Sequence, residues 1–167
     1  ITKIVSWIKK TPGSGIVYCR TRKRTKEISD LLNGHQIISD FYHAGLDQET
    51  RKQKQEDWIK GQTSIMVCTN AFGMGIDKAN VRIVIHADVP DCLENYYQEA
   101  GRAGRDGQPA KAILLYQEQE LEELKALPDV KYPSIYKIRK VYHALGNYFQ
   151  LPIGAGKGEN LNFNLED

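Results

Sequence analysis

Gln98, Arg102 and Arg105 fall at i, i+4 and i+7, so a helix through them carries one amide and two guanidiniums on one stripe. Guanidinium forks bind phosphate oxygens bidentately, so such a stripe is a candidate anion site. Gly101 and Gly104 lie in the same stretch, and each costs a helix about 1 kcal/mol against alanine. They are read as points of close approach by a ligand or another backbone. The helix is expected to begin at a capping box, Asp91 with Glu94 three residues on. It should bury Leu93, Tyr96, Tyr97 and Ala100 as one apolar face and stop at Asp106-Gly107, ahead of Pro109. The plainer alternative is a packed helix with two solvated arginines.

Other segments carry anion chemistry. Gly73-Met74-Gly75 follows an apolar run, and glycines there let backbone N–H groups approach an oxyanion. Asp77 can accept from a ribose hydroxyl or cap a turn. Arg20-Thr21-Arg22 opens a helix, where backbone amides, a hydroxyl and guanidiniums suit a phosphate. A solvated basic face is the alternative. His43 has no metal-ligand partner at useful spacing and is read as a hydrogen-bond donor on the same rim. Gly154-Ala155-Gly156-Lys157-Gly158 looks like a phosphate loop, but Leu151 and Gly158 stand where the motif needs a glycine and a hydroxyl. It is read as a turn or linker.

The elements that must position these residues follow from hydrophobic period. Short apolar runs at 15–19, 37–42, 64–68, 81–86 and 112–116 read as strands. Helices alternate with them, the one at Asp47 showing only Trp58 and Ile59 to a core, and Asn33-Gly34 and Gly61 act as stops. Alternation of this kind implies βαβ units, hence a parallel sheet with helices on both faces. Ligands of such sheets bind beyond the carboxyl ends of the strands. Arg20-Thr21-Arg22, His43, Thr69 and the Gln98–Arg105 helix each follow a strand, so all should share one rim. From Pro133-Ser134 a further amphipathic helix is expected, with Ile135, Ile138, Val141, Tyr142 and Leu145 on its apolar face.

Composition bounds the class. The 167 residues suffice for one domain with a core plus a short appendage, and 41% hydrophobic with 26% charged residues is ordinary for a globular domain. No apolar run approaches the ~20 residues needed to span a bilayer, so no membrane partner is expected. Cys19, Cys68 and Cys92 are far apart, which argues against zinc and against a disulfide framework and suggests small buried residues in a reducing compartment. The net charge of +2 announces nothing, but Arg20, Arg22, Lys23, Arg24 and Lys26 form a local basic footprint. The chain starts at Ile1 and is read as a piece of a longer one.

Three motifs carry a family resemblance. Gln98-Glu99-Ala100-Gly101-Arg102-Ala103-Gly104-Arg105-Asp106-Gly107 resembles the sixth motif of superfamily 2 helicases in its RecQ form. Phe72-Gly73-Met74-Gly75-Ile76-Asp77 resembles the fifth, and Tyr42-His43-Ala44-Gly45-Leu46 the segment between fourth and fifth. Order and spacing match over roughly residues 13 to 116. The resemblance implies a RecA-like α/β fold over residues 1–127, the second motor domain of a RecQ-like ATP-dependent DNA helicase. It leaves 128–167 as a helical C-terminal extension that docks or begins another domain. It implies ATP and Mg²⁺ held mainly by a preceding RecA-like domain, because this sequence has neither a GxxxxGK[ST] loop nor an Asp-Glu pair after an apolar strand. Arg105 would be an arginine finger, Arg102 and Gln98 would orient it or touch phosphates, and Gly75 and Asp77 would face the nucleotide. Arg20, Thr21, Arg22, His43, Thr69 and Gly73 would contact the backbone of single-stranded or partially duplex DNA. The implied protein is monomeric, bacterial and cytoplasmic. The four-cysteine zinc module found after this domain in relatives is missing or replaced, since no cysteine follows Cys92. A non-catalytic single-strand-binding module and an RNA helicase of the same superfamily are the rivals.

Overall fold

A computed structural model describes residues 2–73 and 76–150, and the chain divides into two compact units between Leu124 and Lys125. In the first unit the order is α1 (Thr2–Lys9), β1 (Ser14–Tyr18), α2 (Arg22–Gly34), β2 (Ser39–Tyr42), α3 (Gln48–Lys60), β3 (Ile65–Cys68), β4 (Val81–His86), α4 (Leu93–Ala100) and β5 (Lys111–Leu114). The strands form one parallel sheet in the order β2-β3-β1-β4-β5. The expected RecA-like α/β architecture is thus the observed one.

Alternation along β1 builds both faces at once, because successive side chains point to opposite sides. Val17 and Cys19 join Ile4, Ile8, Ile28 and Leu32 of α1 and α2 in one core. Ile16 and Tyr18 join Trp58, Phe72, Met66 and Val84 in the other. Both cores are apolar because a parallel sheet covered on two faces leaves no strand side for water. Two helix starts are capped as their sequences suggest. Thr21 accepts from the Arg24 N–H at 3.3 Å, and Asp47 from the Thr50 N–H at 2.8 Å.

Several expectations are corrected. The helix α4 ends at Ala100, so residues 101–107 form turns and Gln98, Arg102 and Arg105 share no helical stripe. Its cap residue is Cys92, without a side-chain cap bond, in place of Asp91. Leu93 and Tyr97 are exposed, Tyr96 is half-buried, and Glu99 is the buried residue of the helix. The cause is polar: the Glu99 carboxylate meets the fully buried His86 at 2.9 Å, and that contact sets the helix rotation. Trp58 is buried as expected, while its neighbour Ile59 is exposed. The strand β2 starts at Ser39 because the Asn33 side chain clamps both the N–H and the carbonyl of Ser39, each at 3.0 Å, leaving Ile38 exposed.

Cys19 and Cys68 are buried, but Cys92 is exposed at the head of α4. Burial pushes the Cys19 thiol up to about 12 and holds the Cys68 thiol well above its ordinary value. A thiol reagent at neutral pH should therefore modify Cys92 alone in the native protein and all three cysteines after denaturation. Rapid native modification of all three, read by mass spectrometry, would contradict this packing.

In the second unit α5 (Glu118–Lys131) crosses the division and α6 (Ile135–Tyr148) follows. Ser134 caps α6, accepting from the Lys137 N–H at 3.3 Å. Ile135, Ile138, Val141 and Tyr142 on it are exposed. The phosphate-loop-like Gly154–Gly158 stretch lies outside the described residues.

Candidate functional site

Parallel strands send all their carboxyl ends to one side, and the chain continues from each end with a polar segment. Arg20-Thr21-Arg22 leaves β1, His43 leaves β2, Thr69 and Gly73 follow β3, and α4 with its turn follows β4. The expected sharing of one rim follows from this topology. Gly75 lies outside the described residues.

One cluster on the rim joins the third and fourth connections. The Arg102 Nη1 donates to the Gly73 carbonyl at 2.8 Å. Gly73 has φ +131°, a backbone state that favours glycine, and a Cβ there would overlap the Arg102 guanidinium. Gly73 is therefore a point of close approach, although the approaching group is this protein's own arginine. The Tyr18 hydroxyl donates to the neighbouring Phe72 carbonyl at 3.3 Å, and burial raises its pKa so that it stays a donor. Arg105 donates from Nε to the Gly101 carbonyl at 3.3 Å and lies 3.5 Å from the Asp77 carboxylate. The Arg105 side chain is 41% exposed and that of Asp77 88%, so both remain open to a ligand. Gln98 is exposed on α4.

The turn that presents Arg105 is pinned to the start of β4. Gly104, at φ +65°, donates its N–H to the Val81 carbonyl at 2.9 Å, and the Asp106 N–H reaches Ala79 at 3.2 Å. The Asp106 carboxylate takes the Arg82 Nη2 at 2.5 and 2.6 Å and the Gln108 N–H at 3.0 Å. The Arg82 bond, with the Gln108 N–H next, holds the Asp106 carboxyl below its ordinary pKa. A depressed carboxylate stabilises the fold above the unfolded pKa of about 3.9, and that stability is lost as pH falls through the folded value. Asp106→Asn should lower the melting temperature at pH 7, and the difference should close as the pH falls below the ordinary carboxylate range. A pH-independent difference in thermal scans would show that the charge has no such role.

A second cluster joins the first and second connections. A Cβ placed on Gly45 would lie 2.7 Å from the Arg22 Nη1 and 3.3 Å from the His43 Nδ1, so Arg22 reaches across to the 43–45 turn. The His43 Nδ1 is buried without a hydrogen-bond partner, and its ring packs 5.7 Å from Phe41. The Thr21 hydroxyl is engaged as a helix cap, and Thr69 is buried at the end of β3. Arg20 is tied inward: Nη1 to Glu123 at 3.1 Å, Nη2 to the Val89 carbonyl at 3.3 Å, and its N–H to Asp88 at 2.8 Å. Arg24 pairs with Asp88 at 3.1 Å and Lys23 with Glu27 at 3.7 Å. The basic run is thus largely matched by acids, and Arg22 is the member that reaches the neighbouring rim turn.

Glu99 was not among the expected site residues. It lies beside a cavity of about 80 Å³ at the carboxyl ends of β1 and β4, lined also by Tyr18, Asn70, His86 and Asn95. The signal available was weak: a glutamate three residues after Tyr96, on the side of the helix taken as apolar.

Residues 1–107 match the family described as the helicase conserved C-terminal domain. The Bacillus subtilis protein named ATP-dependent DNA helicase RecQ is 47% identical over 108 residues, 65% of this chain and 18% of that protein. A Caenorhabditis elegans protein named putative ATP-dependent DNA helicase Q1 is 50% identical over 103 residues, 62% of this chain and 16% of its own. Among solved structures, domain 2 of the DEAD-box helicase Mss116p bound to an RNA duplex superposes with a TM-score of 0.64 at 26% identity, covering 80% of this chain and 56% of that one. The chain therefore spans less than a fifth of the length of these two curated relatives.

Proposed function

The chain belongs to the helicase conserved C-terminal domain family, and we propose that it is the second motor domain of a RecQ-like ATP-dependent DNA helicase. The observation that carries the reading is the exposed Arg105, held at the rim beside Asp77 by a turn pinned to β4. A guanidinium so placed is pre-oriented to donate into charge that develops on a phosphoryl group, and costs little reorganisation at the moment of reaction. ATP, held mainly by a preceding domain with Mg²⁺, supplies the phosphoryl group that passes to water. Arg105 donates to its oxygens across the cleft, and Asp77 accepts from a ribose hydroxyl. Arg102, committed to Gly73, keeps the 72–73 turn and the Arg105 turn in register. Arg22 and His43, with the backbone at Thr69 and Gly73, face a single nucleic-acid strand.

The test is strand separation by the full-length parent chain on a partial duplex with a single-stranded DNA tail. ATP-dependent unwinding is expected. Arg22→Ala should weaken single-strand binding across sequences and reduce the salt slope by about 1. Binding without ATP-dependent unwinding would leave a non-catalytic module. The RNA duplex held by the Mss116p domain gives the RNA reading its support. Unwinding confined to RNA tails would establish that reading in place of the DNA one.

A further inference from the structure

We infer that His86 and Glu99 are positioning residues for Arg105, an inference that rests on the motor reading above. His86 ends β4 with its side chain fully buried, and its Nε2 donates to the Glu99 Oε2 at 2.9 Å. The imidazole is stacked on Tyr18 at 5.4 Å and 18° and tilted against Tyr96 at 5.1 Å. It is thereby locked to the central strand on one side and to α4 on the other. Glu99 then passes that lock to the turn. Its carbonyl accepts the Arg102 N–H at 3.3 Å, Arg102 holds Gly73, and the Arg105 Nε holds the Gly101 carbonyl at 3.3 Å. A continuous path of hydrogen bonds and one peptide turn thus runs from the middle of the sheet to the guanidinium.

Stability alone does not call for a histidine and a carboxylate here. A buried ionisable pair is often no better than apolar side chains of the same volume, and one partner left alone is costly. Directionality is what the pair adds. An apolar contact would let α4 slide or rotate by a fraction of an ångström, whereas an N–H···O bond at the last turn of the helix fixes both. A misplacement of about 1 Å in a reacting geometry costs on the order of 10²-fold in rate.

The experiment uses the full-length parent chain and compares His86→Phe, which keeps ring bulk and removes the donor, with Arg105→Ala and the double variant. Single-strand-DNA-stimulated ATP hydrolysis should fall about 10²-fold in kcat for His86→Phe, with KM for ATP and DNA affinity unchanged. The double variant should be no slower than Arg105→Ala alone, because both changes remove one unit. Unchanged kcat in a folded His86→Phe protein, or losses that multiply in the double variant, would overturn the inference while leaving Arg105 as the finger. If His86→Phe fails to fold by circular dichroism, Glu99→Gln is judged by the same two criteria, with a smaller loss expected because the amide can still meet the imidazole. If Arg105→Ala is itself silent, the finger assignment fails and the positioning role goes with it, while loss of ATP-dependent unwinding by the unsubstituted chain is what ends the motor reading.

Discussion

Arg105→Ala in the full-length parent chain should reduce DNA-stimulated ATP hydrolysis by about 10³-fold or more in kcat. The magnitude follows from what the residue lacks as much as from what it has. Its bonds within the domain are a 3.3 Å contact to the Gly101 carbonyl and a 3.5 Å approach to a highly exposed Asp77. Exposed ion pairs contribute about 0–1 kcal/mol, so removing this side chain should barely change folding stability. A large loss in rate with a small change in melting temperature separates a finger from a strut. Single-strand affinity should also persist, because Arg22 and the 43–45 turn belong to the other cluster. Hydrolysis within tenfold of the unsubstituted chain would remove Arg105 from the chemistry.

Trp58→Ala should have the largest effect on the fold, about 3–5 kcal/mol in urea unfolding of this 167-residue chain. Trp58 is 1% exposed and fills the α3 face of the sheet, with its Nε1–H given to the Gly15 carbonyl at 3.2 Å and its ring set edge-on to Phe72 at 5.3 Å. The Lys78 Nζ lies 5.2 Å from that ring and donates to the Trp58 and Ile59 carbonyls at 3.0 and 2.8 Å, closing the end of α3. The truncation therefore opens a cavity and loosens Phe72, whose carbonyl and following Gly73 anchor the Arg102 cluster. An unfolding free energy within 1 kcal/mol of the original would mean that the face repacks.

The sheet was legible because its signals are local. Apolar runs such as Ile83-Val84-Ile85 and caps such as Asp47 are decided by neighbours in sequence. The end of α4 was not. Local sequence keeps its glycines helical, whereas Gly104 takes a left-handed φ and gives its N–H to Val81, a residue far back in the chain. The face that α4 buries differs from its hydrophobic period for a related reason: that period cannot register a carboxylate that turns inward to meet a histidine. The basic run shows the same limit. Arg20 is matched by Asp88 and Glu123, 68 and 103 positions away, and no window over residues 20–26 contains them. Order and spacing put the motifs after the carboxyl ends of parallel strands, but which arginines stay open there is decided by partners that only folding supplies.

The place of β1 in the middle of the sheet also governs how the domain is born. Gly15 pairs with Ile65 on one side and Ile83 on the other, while the strand that follows it in sequence goes to an edge beyond β3. On the ribosome, β1 must wait with both ladders bare until β3 and then β4 emerge. Such distant pairings make assembly slow and nearly all-or-none. A nascent chain halted before Val81 presents a naked parallel edge, open to pairing with other chains. Arg22 and Arg105, made early and late, are brought to one rim only after that wait is over.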